Sequence, residues 1–155
     1  MDRGGAALIR PATRADRDQL GALHRAAYAV LSGDLYGDRD AAWEQGFFAA
    51  RLAHPVDIEV AVASGTVIGA VYVEQRADEV RVESLEVLPA RQRRGVGSAL
   101  LGRVLGRAGE RGAPVSLRVH RGNPRARWLY ERLGFQVVRE DGSHFEMRWS
   151  ASRGL

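Results

Sequence analysis

Apolar residues recur along this chain with two different spacings, and the spacing separates predicted strands from predicted helices. In the first half, alternating and continuous apolar runs predict four strands, over residues 7–10, 58–63, 66–75 and 80–88. Between the first two strands, a stripe of apolar residues at helical spacing predicts a helix that starts after Thr13, a favourable N-cap residue, and ends near Leu31. A second helix is expected over residues 39–52.

The second half of the chain alternates between helices and strands. Helical spacing predicts helices over 97–111 and 123–133, the second one ended by Gly134, and strands are predicted over 115–119, 135–138 and 144–149. The resulting order is β-α-α-β-β-β-α-β-α-β-β, with no internal repeat and no linker. A chain of 155 residues has the size of one domain, so we expect residues 1–155 to form a single α/β (α+β) domain.

Charge divides the chain into two unlike halves. Residues 1–88 hold nine arginines and fourteen acidic residues, a net charge of −5, and residues 89–155 hold fourteen arginines and five acidic residues, a net charge of +9. The second half should attract polyanions and the first half cations. A nucleic-acid surface is the alternative interpretation of the basic half, but the aromatic residues there fall mostly at predicted core positions.

Several absences from the sequence limit the class of protein. No apolar run approaches the ~20 residues that span a membrane, and the first residues lack the charged-then-apolar order of a signal peptide. Cysteine is absent, which excludes disulfides, thiolate metal sites and an acyl-cysteine intermediate. The four histidines show no metal-ligand spacing, so no metal is expected. We therefore predict a soluble, cytoplasmic protein.

The loop after the fourth predicted strand carries the most specific motif. From Leu85 to Ser98 it reads Leu-Glu-Val-Leu-Pro-Ala-Arg-Gln-Arg-Arg-Gly-Val-Gly-Ser, and it leads from a strand into an apolar helix. Outward-pointing N–H groups and the positive end of a helix dipole meet there, glycines let an anion approach, and arginines add charge. A P-loop would need Gly-Lys-Ser/Thr, and this chain has no lysine. The segment predicts a pyrophosphate-binding loop.

This loop resembles the acyl-CoA-binding motif of the GNAT superfamily of N-acetyltransferases, Gln/Arg-x-x-Gly-x-Gly/Ala, which here runs from Gln92 to Gly97. A second block, from Asn123 to Phe135, resembles the superfamily signature Asn-x-x-Ala-x-x-x-Tyr-x-x-x-Gly-Phe at every landmark position. The order of predicted elements is also that of the superfamily, so the resemblance covers essentially the whole chain. It implies a mixed, mostly antiparallel central sheet with helices on both faces, and acetyl-CoA as the co-substrate.

The resemblance also implies which residues bind the co-substrate. The predicted set is Leu85, Val87, Gln92, Arg93, Arg94, Gly95, Val96, Gly97, Ser98, Asn123, Ala126 and Tyr130. In the superfamily, the asparagine bonds the pantetheine arm and the tyrosine points at the thioester sulfur. A strand N–H, here at Val87, would stabilise the thioester oxygen as it gains charge.

Acetyl transfer to an amine also needs proton transfer. Tyr130 would be the hydrogen-bonding acid for the departing thiolate. Making an alkylamine of pKa ~10.4 neutral at pH 7 costs about 4.6 kcal/mol, against about 1 kcal/mol for an α-amino group, so a base matters most for alkylamines. The candidates are Glu83 and Glu86 on the central strand, with Glu83 slightly favoured because superfamily members often carry a polar residue there. An unbroken strand would face them oppositely, and a bulge would change this.

The residues that would bind the acceptor are predicted from fewer features of the sequence. In the superfamily the first two helices and their connection form one wall of the acceptor cleft, so Tyr36 and Trp43 are candidates to hold an apolar or cationic acceptor. The acidic residues nearby, Asp38, Asp40 and Glu44, would attract an ammonium group. His144, in the last predicted hairpin, is a further candidate for acceptor contact or for the base, with a structural role as the alternative.

Taken together, the sequence predicts an acyltransferase that transfers an acetyl group from acetyl-CoA to a primary amine by direct attack in a ternary complex. Its partners would be acetyl-CoA and a small amine or a peptide N-terminus, and a homodimer is compatible because dimers are common in the superfamily. Two alternatives stay open: a catalytically weak acyl-CoA-binding regulatory module, and a basic nucleic-acid-binding domain.

Overall fold

The computed structural model describes residues 7–31 and 56–151. The strands are β1 (Leu8–Pro11), β2 (Val56–Ala63), β3 (Thr66–Gln75), β4 (Val80–Val87), β5 (Val115–His120), β6 (Gln136–Glu140) and β7 (His144–Trp149). The α-helices in these ranges are α1 (Arg17–Leu31), α2 (Val96–Arg111) and α3 (Pro124–Arg132). The strands form one sheet in the order β1-β2-β3-β4-β5-β7-β6.

Within the described residues, the elements predicted from the sequence occur with bounds shifted by one or two residues, except at the start of α1, where a 3-10 turn (Arg14–Asp16) stands between Thr13 and the helix. Every neighbouring strand pair is antiparallel except β4 and β5, which are parallel. The predicted fold class, a mixed and mostly antiparallel sheet, is therefore confirmed. The helix predicted over 39–52 lies outside the described residues.

Apolar side chains cover both faces of the sheet. The larger core cluster lies between the sheet and helices α2 and α3, with Leu101, Leu117 and Met147 at its centre. A smaller cluster packs Leu20 and Leu23 of α1 against the opposite face. Helices thus lie on both faces, as predicted. Within the described residues, no helix is both long and apolar enough to cross a membrane.

The end of α3 returns the chain to the sheet. Gly134 has φ of 102°, its N–H donates to the carbonyl of Glu131 at 3.1 Å, and the N–H of Phe135 donates to the carbonyl of Tyr130 at 3.0 Å. These two bonds make a Schellman motif, which needs a left-handed residue at the glycine position. The motif places buried Phe135 against Tyr130, with ring centroids 5.8 Å apart.

Strand β4 contains a bulge at Glu83. Tyr72 of β3 pairs with Ser84, but the next residue, Val73, pairs with Val82, so Glu83 is an extra residue in β4. Without it, Glu83 and Glu86 would face opposite sides of the sheet. The bulge lets both carboxylates lie on the face that α1 covers.

The parallel pairing of β4 with β5 is short. Within the described residues it consists of Val80 with Val115 and Arg81 with Ser116, near the start of both strands. Beyond these pairs β4 continues to Val87 and β5 continues to His120. The two strands therefore part, and a slot opens in the middle of the sheet toward their carboxyl ends.

One side of the sheet around this slot is polar. Side chains alternate along strands, and those that do not enter the larger core cluster point toward the side of α1, which packs on β3 and β4. We call this the polar face. It is formed by Arg81, Glu83, Ser84 and Glu86 of β4, Ser116, Arg118 and His120 of β5, and His144, Glu146 and Arg148 of β7.

Candidate active site

The loop between β4 and α2 has the geometry of an anion-binding loop. Arg93 and Gly95 both adopt left-handed backbone, with φ of 65° and 84°. A Cβ placed on Gly95 would meet no atom within 4 Å, so open space lies beside its backbone. The first helical bond of α2 runs from the N–H of Ala99 to the carbonyl of Gly95, which leaves the earlier N–H groups of the helix free of helical partners.

Two exposed arginines and one side-chain hydrogen bond complete this loop. Within the described residues, Arg93 and Arg94 are exposed and form no ion pair. Gln92 points back toward the sheet, and its Nε2 donates to the carbonyl of Val87 at 3.1 Å. Gln92 thus fixes the loop to the end of β4, while the arginines and the helix N–H groups provide the surface for an anion.

Backbone donors of β4 line one edge of the slot. The N–H of Leu88 donates to the carbonyl of Ile68 on β3 at 2.9 Å. Because successive N–H groups of a strand point to opposite sides, those of Val87 and Leu85 point away from β3 and into the slot. A Cβ on Gly97 would lie 3.6 Å from Leu85 and 3.9 Å from Val87, so the first turn of α2 packs directly on this edge.

Helix α3 contributes the other predicted residues of the slot. Asn123 caps the helix, its Oδ1 accepting from the N–H of Ala126 at 3.3 Å, so its amide NH₂ is left as the donor. Ala126 and Tyr130 follow on the same helical face. The ring of Tyr130 is buried with 8% exposure, and it belongs to the larger core cluster.

The two candidate carboxylates have different surroundings. Glu86 is buried, with its Oε1 2.6 Å from His24 Nδ1 and 3.2 Å from Ser84 Oγ. Glu83 lines a polar cleft of about 620 Å³ on the polar face. The other lining residues of this cleft are Arg76, Glu79, Arg81, Arg118, Val138, Arg139 and Glu146.

Two histidines face each other at the open end of the slot. His120, the last residue of β5, pairs with His144, the first residue of β7, and their ring centroids lie 5.0 Å apart in an edge-to-face arrangement. Burial, the positive charge of Arg118 and the neighbouring His120 hold the pKa of His144 below its usual value against the opposing effect of Asp141. The polar face thus bears imidazoles beyond one edge of the slot and a carboxylate, Glu86, near the other.

The structure brings together most of the residues predicted from the sequence. The predicted CoA-binding residues of β4, the loop, α2 and α3 surround the slot, and His144 lies at its open end. Tyr36 and Trp43, with the acidic residues near them, lie outside the described residues. Sequence reasoning missed His24 and His120, because their partners Glu86 and His144 lie far away in the chain and only strand register and helix packing join them.

The profile of the Acetyltransferase (GNAT) family matches residues 17–135. None of the curated protein sequences compared with the chain matches it significantly.

Solved structures share the whole fold. The PaiA N-acetyltransferase from Thermoplasma acidophilum, in complex with coenzyme A, superposes with a TM-score of 0.81 at 20% identity over 95% of this chain and 100% of that one. The ribosomal-protein-S18-alanine N-acetyltransferase from Escherichia coli gives 0.71 at 21% identity, over 96% and 98% of the two chains. YncA from Salmonella typhimurium, a putative acetyltransferase with acetyl-CoA, gives 0.71 at 22% identity, over 97% of both chains. With a family profile matched over most of its length and this fold around the slot, the chain belongs to the GNAT family of acetyltransferases.

Proposed function

We propose that this acyltransferase moves an acetyl group from acetyl-CoA to a primary amine by direct attack within a ternary complex. The observation that carries the proposal is the slot between β4 and β5, with an anion-binding loop on the side of α2 and a polar face on the other. Two of the similar structures contain coenzyme A or acetyl-CoA, which supports the same co-substrate here.

In this arrangement the co-substrate and the acceptor enter from opposite faces. The pyrophosphate lies on the N–H groups and arginines of residues 93–98, and the pantetheine arm follows α3 past Asn123 and Ala126. The thioester then lies in the slot, where the N–H of Val87 donates to its oxygen as charge develops. Tyr130 donates a hydrogen bond, and finally a proton, to the departing sulfur.

The acceptor amine approaches from the polar face. The net charge of −5 on residues 1–88 favours a cationic amine. One similar structure is an N-acetyltransferase for an alanine of ribosomal protein S18, and a peptide N-terminus is an acceptor class that needs only about 1 kcal/mol to become neutral at pH 7. Because the chain has no cysteine, no acyl-cysteine intermediate can form, and the amine attacks the thioester directly.

The test is turnover of acetyl-CoA with a panel of amines: spermidine, tyramine, lysine and a peptide that begins with alanine. Because the chain has no cysteine, a thiol reagent reports only the CoA that is released. We expect acetyl-CoA to raise the melting temperature by mass action and at least one amine to release CoA and gain one acetyl group. Binding without acetylation of any amine would favour a regulatory module, and salt-sensitive DNA binding without a CoA-dependent shift would favour a nucleic-acid binder.

A further inference from the structure

A chain of hydrogen bonds leads from the β6–β7 turn to His144. Asp141 Oδ1 accepts from the N–H of Ser143 at 2.8 Å, from the N–H of His144 at 2.7 Å and from Ser143 Oγ at 3.0 Å. Its Oδ2 lies 2.8 Å from the guanidinium of Arg118. Ser143 Oγ also lies 2.7 Å from His144 Nδ1. Asp141 and Ser143 thus form a fixed support behind one nitrogen of the imidazole.

The direction of each bond follows from which atoms carry hydrogens. The backbone N–H groups of Ser143 and His144 hold the pKa of Asp141 well below its usual range, so this group is an ionised carboxylate and only accepts. Because the 3.0 Å contact between Ser143 Oγ and this carboxylate is a hydrogen bond only if Ser143 donates, we assign the single hydroxyl hydrogen of Ser143 to Asp141. Ser143 Oγ can then only accept from His144 Nδ1, which must carry the hydrogen, and the lone pair of the neutral imidazole lies on Nε2.

The neighbouring histidine has the opposite tautomer. The N–H of Gly122 donates to His120 Nδ1 at 2.9 Å. Since a backbone N–H cannot accept, His120 Nδ1 bears the lone pair and its Nε2 bears the hydrogen. Of the two imidazoles at the open end of the slot, only His144 presents an unprotonated Nε2.

We propose that His144 Nε2 is the base that removes a proton from the acceptor ammonium, with Ser143 and Asp141 as positioning residues that hold this tautomer. The proposal rests on the proposed acetyl transfer and names the residue that activates its acceptor. His144 lies on the strand next to β5, ~5 Å beyond the far edge of the slot. An amine bound at the open end of the slot, beside the paired rings of His120 and His144, would be within reach of Nε2 directly or through one water, the range in which a general base acts.

The charged and titratable groups around His144 keep it ready for this role. They are Arg118 and His120 on β5 and Asp141 in the turn. Burial and the two β5 side chains outweigh Asp141, and they keep the imidazole neutral at pH 7. A protonated imidazole could not take up a proton, so a lowered pKa extends the active range toward acid.

His144 and Tyr130 account for both protons that the ammonium loses. His144 Nε2 takes one proton from the ammonium, and the neutral nitrogen attacks the thioester carbon to form the C–N bond. The C–S bond breaks, and the second proton of the amine ends on the CoA sulfur by way of Tyr130. The imidazolium then returns its proton to water. One amide, one CoA thiol and one free proton result.

The test compares matched histidine variants in the thiol-release assay, using whichever amine of the panel gives the wild type its highest turnover. His144→Asn keeps an N–H donor for Ser143 Oγ but removes the basic Nε2, and His120→Asn keeps an acceptor for Gly122. We expect His144→Asn to lower kcat/KM by ~10²–10⁴-fold and to abolish the acid limb of the pH profile below ~6.5. His120→Asn should keep that limb.

Separate measurements test the positioning role of Ser143. Ser143→Ala should lower kcat more than it changes KM, and Ser143→Thr, which keeps a hydroxyl, should restore kcat. The tautomers are measured in ¹⁵N-histidine NMR spectra of the wild type without acceptor, where the signals of each histidine are assigned by their absence from the matching Asn variant. The His144 signals should show a protonated Nδ1 and an unprotonated Nε2, and the His120 signals should show an unprotonated Nδ1 and a protonated Nε2.

A wild type that acetylates an amine, beside a His144→Asn protein with full turnover and an unchanged acid limb, would overturn the base proposal alone. So would a His144 protonated on Nε2. A wild type that acetylates none of the amines would overturn the proposed function, and the base proposal with it.

Discussion

His24 Nδ1 lies 2.6 Å from Glu86 Oε1, and both side chains are only 3% exposed. The pair joins α1 to β4 beside the slot, and Ser84 Oγ adds a second hydrogen bond to the same carboxylate oxygen. A buried, hydrogen-bonded pair of this kind stabilises the fold mainly because removing one partner leaves the other buried without compensation. Glu86 therefore has a structural role at this position, whereas the sequence predicts it as a candidate base.

We therefore expect Glu86→Leu to lower the free energy of unfolding by about 3–5 kcal/mol. Glu86→Gln should cost much less, because its amide oxygen still accepts from His24, and it should keep kcat near the wild-type value. Combining His24→Leu with Glu86→Leu should recover part of the loss. Urea unfolding of the wild type, the two single leucine variants and the double variant measures the coupling. A Glu86→Gln protein that is stable but has lost most of its kcat would place Glu86 in the chemistry.

The second prediction separates a phosphate contact from backbone strain. Gly95, at the start of α2, and Gly112, at its end, have φ of 84° and 67°, and a Cβ at either would meet no atom within 4 Å. Valine at either position is strained by its positive φ. Gly95→Val should in addition abolish CoA binding, because its side chain fills the space beside the loop.

Calorimetric titration with CoA checks this pair of variants, with thermal unfolding as the measure of strain. We expect a similar loss of stability in both proteins and a loss of CoA affinity in the Gly95 variant alone. Equal CoA affinity in the two would show that the pyrophosphate binds elsewhere, and the loop assignment would then be wrong.

The sequence predicts the elements well because their patterns are local. The turn at Ser64 and Gly65, between the strands predicted over 58–63 and 66–75, and the Gly134 cap each depend on a few neighbouring residues, and both leave the predicted elements in place. The motif from Gln92 to Gly97 is likewise local, since its function depends on backbone N–H groups and glycines within one loop. Fold order and the co-substrate loop are accessible from such patterns.

The polar face is less accessible, because non-local pairing decides it. The side on which Glu83 lies depends on a bulge that appears only in the register of β3 with β4. The tautomer of His144 depends on a turn that brings Asp141 and Ser143 together behind it. The spacing of residues along the sequence identifies Glu83 and His144 but not the partners that orient their side chains. The sequence therefore favours a carboxylate of β4 as the base.

Tyr130 gives the third prediction. Tyr130→Phe keeps the ring that packs against Phe135 and deletes the hydroxyl, so stability and CoA affinity should change little. Turnover should fall by ~10–10³-fold, as for the loss of one acid or hydrogen-bond donor. Single-turnover kinetics with acetyl-CoA measures the chemical step. Phe135→Leu is the packing control, which should lower stability and leave the chemical step nearly unchanged. An unchanged rate in Tyr130→Phe would make Tyr130 a core residue only.

The last prediction is that the acceptor is a cation steered by the acidic half of the chain. Attraction between exposed charges weakens as the Debye length falls from ~8 Å at 0.15 M salt to ~3 Å at 1 M, so KM for the acceptor should rise with ionic strength while kcat stays level. Glu83→Gln should raise this KM by ~3–10-fold, which corresponds to about 1 kcal/mol of lost attraction.

Glu110→Gln is the matched control, because it removes the same charge from α2 on the opposite side of the sheet and should leave KM unchanged. Steady-state kinetics at several salt concentrations measures all three proteins. A KM that falls with salt would mean that the acceptor is anionic, and the charge asymmetry would then serve the co-substrate alone. If Glu83→Gln instead lowers kcat and leaves KM unchanged, Glu83 takes the role of base that the hydrogen-bond directions assign to His144.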